Sequence, residues 1–126
     1  MIDITQFIEW VKEKVDGEYY PLFFPETSSD DCIVVSFNEV LGRRGTVKDM
    51  TFSFLVRSTH PQKSIDKCGK LINELDKKTN IFFGSTQIIL VLAQQGTGQF
   101  RGIDENSRSV FQVDFKVLLT KTDVLN

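Results

Sequence analysis

Between positions 110 and 119 the chain keeps a strict beat of two: Phe111, Val113, Phe115, Val117 and Leu119 alternate with Val110, Gln112, Asp114, Lys116 and Leu118. Successive side chains of a strand point to opposite faces, so this beat predicts a long strand with one buried face and one mostly polar face. A helix, with its 3.6-residue period, would scatter the same apolar set around its axis. The beat returns in "VKDMTFSFLVRS", where Met50, Phe52, Phe54 and Val56 oppose Thr51, Ser53, Leu55 and Arg57. "CIVVSF", from Cys32 to Phe37, is short and β-branched, the composition of a strand buried on at least one face. These two strands are expected to pair antiparallel. Their connection, "NEVLGRRGTVKD", is too long for a two-residue turn and is expected to project as a flexible or extended hairpin arm.

Two segments carry the other period. From Asp3 to Val15, Ile4, Phe7, Ile8, Val11 and Val15 fall on one helical face, with Asp3 and Gln6 spaced as a capping box and Gly17 placed to end the helix. Ile65, Cys68, Leu71, Ile72 and Leu75 form the stripe of a second helix, opened by Thr59 as N-cap with Pro61 in the first turn. Tyr19 to Phe24, broken by Pro21 and followed by Pro25, reads as a short extended or edge segment. Thr86 to Ala93 reads as a central strand shielded on both faces. The expected fold is a single α+β domain over residues 1–126: a mainly antiparallel sheet of four to five strands packed with two helices, in the order α-β-β-α-β-β.

Composition narrows the function. With 40% hydrophobic and 25% charged residues the chain has material for a core, and 126 residues suit one domain. The net charge of -2 gives no global attraction to nucleic acid or to an anionic membrane. No apolar run approaches the ~20 residues of a membrane helix, and the first residues lack a signal-peptide pattern, so a soluble intracellular protein is expected. Cys32 and Cys68 stand outside any C-x-x-C pair and are expected to be buried reduced thiols.

Catalytic patterns are weak. "GTGQFRG" supplies Gly96, Gly98 and Gly102, but an extended strand follows it, so no helix N-terminus is on hand to hold a phosphate. His60 is the only histidine and stands at a helix start, where capping or turn duty is the ordinary role. No metal, cofactor or catalytic residue is expected. Two long polar connections remain, at 38–48 and 94–109, and long loops in a small domain are usually functional or disordered, an assembly surface being the simplest use. Arg43, Arg44 and Lys48 in the first, and Arg101, Asp104, Glu105 and Arg108 in the second, are the candidate contacts for neighbouring protein subunits.

The order of elements resembles the tail terminator, or head-to-tail joining, proteins of long-tailed bacteriophages. The resemblance runs through an amphipathic helix ending near "VDG", the "CIVVSF" strand, "TFSFLVRS" leading into "HPQKSIDKCGKLINELDK", and the closing "RGIDENSRSVFQVDFKVLL". It implies a non-enzymatic structural protein of the virion's tail-neck region, assembled in the host cytoplasm. It also implies a ring, commonly hexameric, that caps the tail tube, stops its polymerisation and docks the head connector, while DNA passes without specific binding. The alternatives are a neck or adaptor component of the same virion, and a small ligand-binding or enzymatic module using the 94–109 loop.

Overall fold

The alternating stretches become the middle of a sheet. The computed structural model describes residues 3–44 and 47–121, with backbone alone for 38–44 and 121. Its elements are α1 (Ile4–Lys14), β1 (Tyr19–Pro21), β2 (Cys32–Arg44), β3 (Val47–Ser58), α2 (Pro61–Leu75), β4 (Thr79–Phe83), β5 (Thr86–Ala93), β6 (Gln99–Ile103) and β7 (Ser109–Lys121). The strands make one sheet in the order β1-β2-β3-β7-β5-β4, and β6 pairs with β7 alongside β5. β3 and β7 are antiparallel neighbours along their whole length, from Val47 opposite Thr120 to Ser58 opposite Ser109. This pairing puts the two period-two apolar sets on one face.

Both helices lie on that face. Phe7 of α1 stacks on Phe52 at 4.1 Å between ring centres and meets Phe37 edge-on at 5.6 Å, while Phe54 meets Phe115 at 5.5 Å. From α2, Cys68, Leu71 and Leu75 are fully buried against the same core. Each such large apolar side chain contributes about 2 kcal/mol by leaving water, so the aromatic layer under α1 is a principal source of stability. Asp3 caps α1 by accepting a hydrogen bond from the Thr5 amide at 2.8 Å.

Several expectations change. Among the described residues the sheet has seven strands, not four or five, and the order is α-β-β-β-α-β-β-β-β. The edge segment narrows to Tyr19–Pro21, and it runs parallel to β2, which makes the sheet mixed. β4 is an addition, folded onto β5 through Gly84 and Ser85. Phe83 faces Thr86 across this two-residue turn, and Gly84 takes the positive φ of 60° that such tight hairpins need. β5 lies between β7 and β4, one place in from the edge, with every residue buried or half-buried. The helix starts and stops also differ: His60, not Thr59, caps α2, its Nδ1 accepting from the Gln62 amide at 3.1 Å. α1 ends at an extended Val15, before Gly17 is reached.

The segment 94–109 is not one open loop. Ala93 stands opposite Phe115 and Gln99 opposite Gln112, so β5 and β6 follow the same edge of β7, and residues 94–98 bulge out where β7 has only Val113 and Asp114. The bulge is pinned twice. Gln95 accepts from the Asp114 amide through its Oε1 at 2.8 Å and donates through Nε2 to Asp114 Oδ2 at 3.0 Å. Gly98 lies so close to α2 that a Cβ there would be 2.7 Å from Cys68 Sγ.

Candidate functional site

The turn from β6 into β7 is built around one carboxylate. Asp104 Oδ1 accepts from the Asn106 and Arg108 amides, both at 3.0 Å, and Oδ2 accepts from Arg108 Nε at 2.8 Å. Burial works against the Asp104 charge, but the Arg108 and Asn106 amides and the Arg108 guanidinium outweigh it and hold the carboxyl below the ordinary aspartate range. Arg108 reaches on to Asp30 Oδ1 at 3.1 Å, tying this turn to the chain just before β2. Arg108 therefore links Asp104 and Asp30 by ion pairs within the subunit. Glu105, in the same turn, is exposed.

Arg101 stands exposed on β6 and donates through Nε to Gln112 Oε1 at 2.8 Å. Gln112 in turn donates to Asp114 Oδ1 at 2.7 Å, where Ser53 Oγ also donates at 2.6 Å. The polar face of the sheet is thus crossed by a connected row, Arg101–Gln112–Asp114–Ser53, placed there by the strand alternation. Burial raises the Asp114 pKa, but the bonds from Gln112, Ser53 and Gln95 prevail and hold it below the ordinary range.

The other candidates lie at the opposite end of the sheet. Arg43 pairs with Lys48 and Arg44 with Val47 as β2 and β3 run out, after an irregularity between Glu39 and Arg43. β7 accompanies β3 as far as Val47 opposite Thr120, so this hairpin is extended as expected but flanked by a third strand almost to its tip. Gly45 and Thr46 and the side chains of Arg43 and Arg44 lie outside the described residues. The structure therefore separates the candidate residues into two groups at opposite ends of the sheet.

Arg57 was not singled out in the sequence, although a lone arginine on an otherwise small and apolar strand face is a visible signal. It is buried, and its Nη2 donates to Ser28 Oγ at 2.9 Å and to the Ser29 carbonyl at 2.7 Å, with Phe24 stacked 4.4 Å from its guanidinium carbon. It holds the 24–30 segment onto the outer face of β2 and β3. Beside α2, a cleft of about 360 Å³ is lined by Glu18, Asp31, Cys32, Lys63, Lys67 and Lys70 among others, and no residue of 94–109 contributes to it. Burial, with Lys70 nearby, lowers the Lys67 pKa. Among the described residues no three histidine, cysteine or acidic side chains gather as a metal site, and no helix is long and apolar enough to cross a membrane.

The two cysteines and the histidine have structural employment. Cys68 is buried in the core and its thiol is pushed up to about 11, and burial likewise raises Cys32, which keeps both in the unreactive thiol form. His60 caps a helix. A search of curated proteins returned no match. The family profile described as bacteriophage tail terminator protein matches residues 12–121, a span that takes in every strand and both polar connections. The chain belongs to the bacteriophage tail terminator family and is thereby a structural component of a phage tail.

Proposed function

We propose that copies of this chain close into a ring, hexameric as in the commonest arrangement of such terminators. The ring caps the finished tail tube, ends its polymerisation and presents a docking surface to the head connector without catalysing a reaction. The observation that carries this reading is the family match across residues 12–121. The geometry supports a division of labour: the 38–48 hairpin and the Asp104–Arg108 turn stand at opposite ends of one sheet. A ring built of such sheets offers one end to the tube and the other to the connector. Arg43, Arg44 and Lys48 belong to the first end, and Arg101, Asp104, Glu105 and Arg108 to the second. The net charge of -2 suits a lumen that lets duplex DNA slide.

The test is polymerisation of the tail tube protein with and without this chain, followed by negative-stain imaging. Capped tubes are expected to stop growing when fresh tube protein is added, and to capture the connector at the capped end. Unchanged growth overturns the terminator reading, and connector capture without any effect on growth moves the chain to a neck adaptor.

A further inference from the structure

Among the described residues, the exposed large apolar side chains are Leu22, Phe23, Phe82, Phe100 and Ile103, each between 58% and 66% exposed. Every one of them lies at a free edge of the sheet. Leu22 and Phe23 follow β1, which ends the strand order on one side; Phe82 is on β4, which ends it on the other, and Phe100 and Ile103 are on β6, which pairs with β7 alone. Exposed apolar side chains confined to two opposite edges mark a contact surface in two halves.

The two edges differ in charge. Residues 16–31, which lead into β1 and away from it, hold Asp16, Glu18, Glu26, Asp30 and Asp31 and no lysine or arginine. Residues 77–103, which contain β4, β5 and β6, hold Lys77, Lys78 and Arg101 and no carboxylate; in the turn that follows, Asp104 is paired with Arg108 and Glu105 is exposed. Asp30 and Asp31 meet Arg108 and Lys63 within the subunit, while Glu18 and Glu26 stand exposed on the acidic edge and Arg101 on the basic one. Like edges repel and unlike edges attract, which disfavours a two-fold contact and favours head-to-tail association. Head-to-tail contact between two different patches is the kind that closes rings.

Local backbone geometry points the same way. The Phe23 amide donates to the Pro21 carbonyl at 2.9 Å across Leu22, whose φ is 72°. This is the strained form of the three-residue turn, and here it carries a bulky apolar residue out into solvent instead of into the core.

We propose that the ring contact is made between copies of this chain by its two sheet edges: Leu22 and Phe23 of one copy seat against Phe100 and Ile103 of the next, with Glu26 facing Arg101. The proposal rests on the ring reading above and adds which surfaces meet.

Cysteine cross-linking on assembled tubes tests it. Phe23→Cys and Ile103→Cys replace side chains that are both largely exposed, so the fold is kept, and the native Cys32 and Cys68 are buried and do not compete. Under mild oxidation the double variant bound to tail tubes is expected to give a ladder of covalent oligomers that collapses with reductant, and either single variant to stay monomeric. Adding Phe100→Glu to the double variant is expected to weaken the ladder by about tenfold. A covalent dimer from a single variant overturns head-to-tail contact. Rings imaged on the tubes without a ladder overturn the edge assignment and leave the terminator reading standing. Absence of any ring on the tubes takes both down.

Discussion

Gly98 holds its place by having no side chain. A Cβ there would fall 2.7 Å from Cys68 Sγ and 2.9 Å from Cys68 Cβ, and Cys68 is fully buried and cannot step aside. Gly98→Ala is therefore expected to destabilise the protein by about 1–3 kcal/mol through overpacking, seen as a lower urea midpoint at unchanged m-value. Cys68→Ala in the same chain restores part of the loss, since it removes the sulfur and leaves the nearer-backbone carbon. An unaltered midpoint for Gly98→Ala would mean that the bulge stands clear of α2. Asp114 acts through charge. Its folded pKa lies below the ordinary aspartate value of 3.8, so its contribution is present above that value and is lost as pH falls through the folded one. Asp114→Asn is expected to lower stability at pH 7 by about 1 kcal/mol, the value of a charged hydrogen-bond group discounted for solvent screening. It is also expected to flatten the acid-unfolding limb below about pH 4. An acid limb identical to that of the parent chain would show that Asp114 titrates alike in the folded and unfolded states.

At the scale of elements, the long strands and the helices were legible and the edges were not. β3 and β7 declare themselves because one face is buried along their whole length, and burial on one face is what writes period two into a sequence. β6 has no such imprint: Gln99, Phe100, Arg101 and Ile103 are all exposed, and the register shifts between Phe100 and Gly102. β4 was hidden by adjacent Phe82 and Phe83, which point to opposite faces, although the Gly84–Ser85 pair between two apolar runs was a hairpin signal. The α2 start shows how a propensity rule is outcompeted. Thr59 is the better capping type, but its amide is held by Asp31 Oδ1 at 3.2 Å, and the next residue, His60, has the extended backbone and offers the accepting nitrogen. His60→Ala is accordingly expected to lower thermal stability by about 1 kcal/mol, and Thr59→Ala by much less. A larger loss from Thr59→Ala than from His60→Ala would return the cap to Thr59.

For the whole molecule, the candidate site was legible as charge and not as geometry. Arg101, Asp104, Glu105 and Arg108 were visible as a polar cluster, yet whether Asp104 and Arg108 would pair within the turn depends on a fold-back that spacing does not encode. Leu22, Phe23, Phe100 and Ile103 were invisible as surface, because a single sequence does not say which strands end a sheet. The overall charge, by contrast, is read directly and carries a consequence for the proposed ring. Affinity for duplex DNA comes chiefly from phosphates neutralised by lysine and arginine, and non-specific binding by basic proteins reaches a Kd of ~10⁻⁴–10⁻⁶ M at physiological salt. This chain has 15 basic against 17 acidic residues, and its lysine-bearing stretch, Lys63, Lys67 and Lys70 on α2, shares its cleft with Glu18, Asp31 and Asp66. Assembled rings on tail tubes are expected to leave linear duplex DNA unretarded in a gel-shift measurement at about 150 mM salt, with weak binding emerging only as salt is lowered toward ~10 mM and the Debye length grows. Retardation at physiological salt with a steep dependence on its concentration would place the α2 lysines on the lumen wall and would make the channel a surface that holds DNA in place instead of letting it slide.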